Sequence, residues 1–238
     1  MNKRRTEWRK PCRRGDFVVG KKKVDNKSAE SVDLTAWERR YWGEGICHIA
    51  GIDEVGRGCL FGDVVASAVI LPEGLIIEGI NDSKKLSEKK RDELYDVIIE
   101  QAVAWSVARV DANTIDRINI KQAARLAMKL AVEQLRVQPE VLLIDAEKVD
   151  CPIRQEAIIK GDANSQSIAA ASIVAKVTRD RLCVNDWDAL YPGYGVAVHK
   201  GYGTKLHREQ LLALGPTPMH RRSFLSSLFP EEEQLTLF

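Results

Sequence analysis

The segment "HIAGIDEVGRGCLFGDVVASAVIL", residues 48–71, carries the main sequence signals of the fold. Two strand-like runs, residues 46–54 and 63–71, flank a short segment rich in glycine, a pattern that predicts an antiparallel hairpin. Adjacent carboxylates, Asp53 and Glu54, stand at the end of the first run. A buried carboxylate is costly unless a metal, a cation or several hydrogen bonds compensate it. The hairpin therefore carries an acidic pair that needs an electrostatic partner.

Strands and helices alternate beyond this hairpin. The pattern predicts a helix from Ser87, a strand over 102–110, a helix over 119–135, strands over 140–145 and 156–162, and a long helix from Ser165 to about residue 190. This order of elements predicts an α/β fold with a mixed sheet. The sequence contains no internal repeat.

Composition excludes several classes of protein. The chain has 238 residues, of which 45% are hydrophobic and 29% charged, as is typical of one large globular domain or two small ones. The longest uncharged apolar run, residues 64–72, is too short to span a bilayer, and residues 1–20 lack the apolar core of a signal peptide. Five scattered cysteines without a C-x-x-C pair suggest neither a disulfide framework nor a zinc site. We expect a cytoplasmic protein with no membrane association, and take a monomer as the simplest assembly.

Positive charge is concentrated at the N-terminus. Residues 1–24 carry ten Lys and Arg against two acidic residues, although the net charge of the whole chain is only +2. Such a run is either a solvated extension or a segment that contacts nucleic-acid phosphates. Because no periodicity is sustained there, we predict a flexible basic extension over residues 1–41, followed by a compact domain over residues 42–229 and an acidic tail over residues 230–238.

Two further carboxylates extend the acidic pair. Asp145 ends the predicted strand over 140–145, where α/β sheets gather ligands, and Asp162 precedes the long helix. Each has an ordinary structural alternative as a turn former or helix cap. Together with Asp53 and Glu54 they offer only oxygen donors, which favours Mg²⁺ or Mn²⁺ over zinc. Two such ions about 4 Å apart can activate a water and stabilise the leaving oxygen of a phosphodiester.

A second device lies beside the acids. The GRG loop, formed by Gly56, Arg57 and Gly58, combines a backbone that a ligand can approach closely with a side chain that can bind a phosphate. Tyr202 lies in "HKGYGTKLH", residues 199–207, just before a predicted helix start. A ring beside glycines can stack on a sugar or base, although a turn tyrosine packed on its own domain is the alternative.

Six motifs occur in order along the chain: "GIDEVGRGCLFGDVVASAVIL", "INDSKKLSEKKR", "VLLIDA", "IKGDANSQSIAAASIVAKVTRDR", "YPGYGVAVHKGYGTKLH" and "GPTPMHRRSF". Together they resemble the bacterial ribonuclease HII family, the type 2 ribonucleases H, from about residue 46 to residue 229. The resemblance implies a ribonuclease H-like fold, with a mixed five-stranded sheet flanked by helices and a small helical C-terminal subdomain.

The resemblance also implies an activity. Ribonucleases HII hydrolyse the RNA strand of RNA–DNA hybrids and nick 5′ of single ribonucleotides in duplex DNA, leaving a 3′-hydroxyl and a 5′-phosphate. These reactions serve ribonucleotide removal and RNA primer removal.

The family's catalytic carboxylates, which bind two divalent ions, fall on Asp53, Glu54, Asp145 and Asp162. Its substrate-reading residues fall on Gly56, Arg57, Gly58 and Tyr202, of which the first three are implied to read 2′-hydroxyls and Tyr202 to stack on the following deoxyribose. One departure is Ala146, where many relatives have glycine, and it is expected to alter the geometry of that loop.

Two alternatives stay open. Another nuclease of the same fold, such as a junction resolvase or ribonuclease HIII, would keep the carboxylates but lack the pairing of the GRG loop with Tyr202. A non-catalytic RNA–DNA hybrid-binding protein would keep the GRG loop and the basic extension but would not need four convergent acids, which repel phosphates in the absence of metal. A P-loop enzyme is excluded because no G-x-x-x-x-G-K-[ST] motif occurs.

The chain ends in "QLTLF", residues 234–238, behind an acidic run. This string is similar to the short peptides by which bacterial replication and repair proteins bind the sliding clamp. Its partner-binding residues would be Gln234, Leu235, Leu237 and Phe238. The alternative is a tail that packs on its own domain.

Overall fold

The computed structural model describes residues 33–229. Most of the predicted basic extension therefore lies outside the described residues. The acidic tail lies outside them as well, together with its proposed clamp-binding residues Gln234, Leu235, Leu237 and Phe238.

A mixed five-stranded sheet forms the centre of the described domain. Its strands are β1 (Ile49–Val55), β2 (Val64–Ile70), β3 (Ala104–Val110), β4 (Val141–Asp145) and β5 (Arg154–Ile158). They lie side by side in the order β3-β2-β1-β4-β5. The pairs β1–β2 and β2–β3 are antiparallel, whereas β1–β4 and β4–β5 are parallel. The predicted hairpin is confirmed, and the parallel pair brings the carboxyl ends of β1 and β4 to the same edge of the sheet.

Helices cover both faces of this sheet. The α-helices of the described residues are α1 (Ala36–Gly43), α2 (Glu88–Gln101), α3 (Ala112–Ile118), α4 (Ile120–Glu133), α5 (Gln166–Arg181), α6 (Asp188–Leu190), α7 (Val196–His199) and α8 (Lys205–Leu214), of which the last three lie in the C-terminal part beyond the sheet. As predicted, the hydroxyl of Ser87 caps α2 by accepting a hydrogen bond from the N–H of Lys90. Among the helices of residues 33–229, none combines the length and the apolar character needed to cross a membrane.

Two apolar layers hold the helices on the sheet. On one face, buried side chains of α3 and α4 pack against β1 to β4. On the other face, α2 and α5 form a second cluster, in which Ala169, Ala170 and Ala171 are fully buried. These small side chains let α5 approach the sheet so closely that the hydroxyl of Ser67 donates a 2.6 Å hydrogen bond to the carbonyl of Ala171. This hydrogen bond ties α5 to β2.

A helical C-terminal subdomain has its own core. Its buried cluster consists of Phe61, Cys183, Trp187, Tyr194, Val196, Leu211, Leu225 and Phe229. Phe61 comes from the segment between β1 and β2 and packs edge-on against Trp187, with ring centroids 6.0 Å apart. The predicted subdomain is therefore present, and it is anchored on the chain that follows the GRG loop.

The domain begins earlier than the sequence indicated. Tyr41, in α1, is fully buried, and the Oε1 atom of Glu38 accepts hydrogen bonds from the hydroxyl of Ser165 (2.7 Å) and the N–H of Ser167 (2.9 Å). The predicted boundary between residues 41 and 42 is therefore corrected, because α1 packs on the start of α5. Apolar periodicity missed it since α1 is short and rich in charge.

Three other elements differ from the sequence prediction. Helix α3 was not predicted, because a seven-residue helix shows little periodicity and its main signal is the cap Asp111. Strand β5 lies earlier than the predicted run over 156–162, because Lys160 takes a left-handed conformation and Gly161–Ala163 forms a 3-10 turn. The long helix predicted from Ser165 is interrupted by a π-helical turn, Leu182–Trp187.

Candidate active site

The acidic pair and Asp145 meet at one edge of the sheet. Ile52 of β1 pairs with Ile144 of β4 in parallel register, so the residues that follow them, Asp53 and Asp145, lie at the same level on neighbouring strands. Asp53 is 5% exposed, and its Oδ1 atom accepts a 2.8 Å hydrogen bond from the N–H of Glu54. The parallel pairing of β1 and β4 thus places Asp53 and Asp145 on neighbouring strands, as their positions at strand ends suggested.

Burial and like charge act together on this pair. Burial raises the pKa of Asp53 well above its usual value, and the charges of Glu54 and Asp145 raise it further, while a hydrogen bond with Ser172 opposes them. Burial likewise raises the pKa of Glu54, Arg57 lowers it, and Asp145 raises it. The three carboxylates therefore repel one another at close range, so that a cation bound among them would be favoured.

Asp162 joins the same cluster from the turn before α5. Burial raises the pKa of Asp162, and the charges of Asp82 and Asp145 raise it further, while Lys84 lowers it. The Gly161 N–H donates a 2.6 Å hydrogen bond to Oδ1 of Asp145, which ties this turn to the end of β4. Asp53, Glu54, Asp145 and Asp162 are called the acidic cluster below.

Sequence reasoning missed Asp82 and Lys84. The Lys84 ammonium lies 3.8 Å from Oδ2 of Asp162. Burial alone would lower the pKa of Lys84, but Asp162, Asp53 and Asp82 outweigh that effect and raise it. The available signal was "NDSKK", residues 81–85, an acid and two lysines in a tight 3-10 turn. Lys84 thus brings positive charge to the acidic cluster.

The chain after Asp145 turns in the left-handed region. Ala146 has φ 50°, and its N–H donates a 3.0 Å hydrogen bond to the carbonyl of Ile158. Left-handed backbone costs a non-glycine residue roughly 1–2 kcal/mol. The sequence predicted altered loop geometry at this departure from glycine, and alanine here adopts a conformation that glycine tolerates better.

The GRG loop and Tyr202 lie side by side. Cys59, which follows the loop, forms an isolated β-bridge with Tyr202. The Arg57 guanidinium reaches back to Glu54, with Nη1 3.1 Å from Oε1. Tyr202 is 39% exposed, and the Lys176 ammonium lies 5.9 Å from its ring centroid. The two substrate-reading features expected from the sequence therefore form one surface next to the acidic cluster.

The donor set of the acidic cluster fits a hard divalent cation. It consists of carboxylate oxygens, and Oε2 of Glu54 is buried without a hydrogen-bond partner. In the conformation described for residues 33–229, no three His, Cys or acidic side chains are grouped as metal ligands. Asp53, Glu54 and Asp145 instead contact protein donors, as given above. Residues that could hold an ion are thus adjacent, with one oxygen left unsatisfied.

Known proteins are similar to this chain in sequence and in fold. A protein-family model described as Ribonuclease HII matches residues 50–227. The ribonuclease HII of Alkaliphilus metalliredigens is 60% identical over 197 residues, covering 80% of this chain and 96% of that relative. The ribonuclease H2 structure from Pyrococcus horikoshii matches with a TM-score of 0.62 at 26% identity, covering 74% of this chain and 92% of that one. A PCNA:RNase HII complex from Archaeoglobus fulgidus matches with a TM-score of 0.60 at 27% identity, covering 74% and 94%.

Proposed function

Since the chain belongs to the ribonuclease HII family, whose members are endoribonucleases of the ribonuclease H type, we propose that it both hydrolyses the RNA strand of RNA–DNA hybrids and nicks duplex DNA 5′ of a single ribonucleotide. The observation that carries the proposal is the meeting of the acidic cluster with the GRG loop and Tyr202 on one surface. The residues that hydrolyse the phosphodiester and the residues that recognise the sugar would then act on the same stretch of nucleic acid.

The acidic cluster would hold two Mg²⁺ or Mn²⁺ ions. When bound, such ions activate the attacking water and stabilise the leaving oxygen of the phosphodiester. Asp53 and Asp145 are positioned by the parallel strands β1 and β4, Glu54 keeps one oxygen unsatisfied, and Asp162 enters from the turn before α5. Without bound metal these carboxylates would repel a phosphate backbone. Metal would therefore be essential for catalysis.

The GRG loop and Tyr202 would select the junction between RNA and DNA. Apart from its chain neighbours, no atom of residues 33–229 lies within 4 Å of the position that a Cβ atom of Gly58 would take, so a ribose can approach the backbone there. The 2′-hydroxyl is the group by which a protein distinguishes RNA from DNA. The half-exposed ring of Tyr202 is available for stacking on the neighbouring sugar.

A comparison of three substrates tests this selection. Wild-type protein, Tyr202→Ala and Tyr202→Phe are assayed with metal on a DNA duplex with one ribonucleotide, on a uniform RNA–DNA hybrid and on all-DNA duplex. We expect Tyr202→Ala to lose about tenfold more activity on the single ribonucleotide than on the hybrid, because stacking contributes about 1–3 kcal/mol. Tyr202→Phe keeps the ring and should retain the selectivity. Equal losses on both substrates would contradict a junction-reading role, and cutting of all-DNA duplex would contradict the proposed substrate class.

The terminal residues 234–238 would bind the DNA polymerase sliding clamp. A structure of an archaeal ribonuclease HII with PCNA supports the general idea of such a partner. Attachment of this kind raises the effective concentration of an enzyme on newly copied DNA. Deletion of residues 234–238 should abolish binding to purified bacterial clamp and leave cleavage of a short free duplex unchanged, whereas Glu231→Gln should alter neither. Clamp binding that survives the deletion would refute the proposal.

A further inference from the structure

Two arginines are fully buried beside the GRG loop. Arg179, in α5, and Arg221, in the C-terminal subdomain, are both 0% exposed. The hydrogen bonds of both guanidinium groups to oxygen go to backbone carbonyls. Removing a guanidinium from water is costly, so such bonds are expected to fix local geometry rather than simply add stability.

Arg221 joins the GRG loop to the segment that follows it. Its Nε and Nη2 atoms donate to the carbonyl of Gly62 at 2.9 and 2.7 Å, and its Nη1 donates to the carbonyl of Arg57 at 3.1 Å. Its own N–H donates to the carbonyl of Leu60 at 2.9 Å. One residue of the C-terminal subdomain thus binds the backbone of Arg57, whose side chain contacts the acidic cluster through Glu54.

Arg179 joins the same segment to the chain around Tyr202. Its Nε donates to the carbonyl of Asp63 at 3.0 Å, its Nη2 to that of Phe61 at 3.0 Å, and its Nη1 to that of Lys200 at 2.7 Å. Lys200 lies two residues before Tyr202. One guanidinium group therefore bridges two stretches of backbone, residues 56–63 with the GRG loop and residues 200–202 with Tyr202, which are called the two strips below.

Two glycines leave room for these contacts. A Cβ atom at Gly56 would lie 2.4 Å from Nε of Arg179, and one at Gly201 would lie 2.6 Å from the carbonyl oxygen of Phe61. Both residues also have φ in the left-handed region, at 93° and 82°. The backbone of both strips is thus shaped to receive the Arg179 side chain.

We propose that Arg221 and Arg179 are positioning residues that hold the GRG loop at a fixed distance from Tyr202 and thereby set the preference for an RNA–DNA junction over a uniform hybrid. This inference rests on the proposed function, and neither arginine needs to contact substrate. Lysine at either position keeps the charge but cannot reproduce the planar fork that reaches several carbonyls at once. Loss of the fork should misplace the two strips relative to each other.

The test measures kcat/KM on the single-ribonucleotide duplex and on the uniform hybrid for wild type, Arg221→Lys and Arg179→Lys. The control is Arg136→Lys. Arg136 also donates from Nε and Nη2 to one carbonyl, that of Val103, at 3.3 and 2.9 Å, but this carbonyl directly precedes the edge strand β3. We expect the ratio of the two kcat/KM values to fall about tenfold or more in both buried variants, since small misplacements cost heavily in positioned sites. In Arg136→Lys the ratio should stay at the wild-type value.

A second readout separates positioning from general stability. The Leu60 N–H donates to the carbonyl of Gly201 at 2.9 Å, so its hydrogen-exchange rate reports on the link between the strips. It should exchange faster in Arg221→Lys while amides of β1 are unchanged. If Arg221→Lys does not fold, Arg179→Lys provides the same comparison.

Each outcome has a distinct meaning. If wild type cuts both substrates and the buried variants lose activity on both equally, the arginines are structural only and the inference is wrong. If wild type ignores the single ribonucleotide, the proposed function itself fails, and the inference falls with it. A lowered ratio in Arg136→Lys as well would also overturn the inference, because the effect would not be local.

Discussion

Arg57 and Glu54 form an ion pair, with Nη1 of Arg57 3.1 Å from Oε1 of Glu54. The side chain of Arg57 is half-exposed, whereas that of Glu54 is almost buried. The pair links the GRG loop to the acidic cluster, so a change in one is expected to affect the other. A divalent cation bound to Glu54 would compete with Arg57 for the charge of the same carboxylate.

This competition predicts that Arg57→Gln binds Mn²⁺ more tightly than wild type in the absence of nucleic acid. The gain should be roughly two- to fivefold, because half-exposed ion pairs contribute about 0.2–1 kcal/mol. Cleavage should fall nonetheless, since the side chain that can bind phosphate is lost. Calorimetric titration with Mn²⁺ measures the affinity, and Arg57→Lys, which keeps the charge, should stay near wild type. Weaker Mn²⁺ binding in Arg57→Gln would show that the pair does not oppose the metal.

Asp53→Asn should separate activity from stability. Burial and the charges of Glu54 and Asp145 disfavour the ionised form of Asp53, so removing its charge should raise the free energy of unfolding of the metal-free protein. Cleavage should drop by about a thousandfold, the scale of several kcal/mol that metal ligation supplies. Denaturant unfolding in chelator and a cleavage assay in Mg²⁺ measure the two effects. The exposed Asp96→Asn should change neither, and a destabilised Asp53→Asn would contradict the repulsion described for the acidic cluster.

Ala146→Gly should stabilise the protein. The residue has φ 50°, a conformation that costs alanine roughly 1–2 kcal/mol, and the greater freedom of glycine in the unfolded chain offsets part of the gain. We expect a net increase of about 0.5–1 kcal/mol in the free energy of unfolding by denaturant titration. The same substitution at the exposed Ala213 of α8 should destabilise by about 1 kcal/mol, because glycine is a poor helix former. Destabilisation at both positions would show that the turn after Asp145 is not strained.

The sequence predicted the parts of the site that depend on local chemistry. Adjacent acids at the end of an apolar run, a second acid at a strand end and glycines around Arg57 all have local signals, and the structure brings them together. Asp82 and Lys84 escaped notice because their turn reaches the acidic cluster only through the tertiary fold.

The buried charged residues could not be predicted from the sequence. Arg179 and Arg221 are charged residues in polar sequence, and single-chain patterns assign such residues to the surface. Their burial depends on carbonyl groups distant in sequence, those of Gly62 and Lys200 among them. Helix α1 was likewise missed, since its contact with α5 is made by a glutamate, Glu38, rather than by an apolar stripe.

Three histidines form a chain of neutral rings in the C-terminal subdomain. His199 stacks on His207 with centroids 4.0 Å apart, and Nε2 of His207 lies 3.1 Å from Nε2 of His220. The Thr217 N–H donates to Nδ1 of His220 at 2.9 Å, so the His220 proton is on Nε2 and is shared with His207. His207 then donates from Nδ1 to the carbonyl of Tyr202 at 2.9 Å. An added proton would break this chain.

These buried histidines should make the folded protein less stable in acid. Burial lowers the pKa of His207 to about 4 and that of His220 to about 3, from an ordinary value of 6.5. Below about pH 6.5 the unfolded polypeptide therefore takes up protons that the folded protein does not, and stability falls until about pH 3, where the folded His220 ring is protonated as well. We expect a loss on the order of a few kcal/mol in denaturant unfolding across this range. The slope should be smaller in His220→Gln, and an equally steep fall in His220→Gln would contradict the assignment.

Nicking of a labelled DNA duplex that contains one ribonucleotide, by wild type and by Asp145→Asn, tests the proposed reaction and the acidic cluster together. Asparagine can still accept the hydrogen bond from the N–H of Gly161, so the turn before α5 should be preserved while the charge is lost. We expect wild type to cut 5′ of the ribonucleotide only with Mg²⁺ or Mn²⁺ and to leave a 3′-hydroxyl and a 5′-phosphate, and we expect the rate to fall about a thousandfold in the variant. Binding without cleavage in either metal, or cleavage that survives in Asp145→Asn, would contradict the proposed function of the acidic cluster.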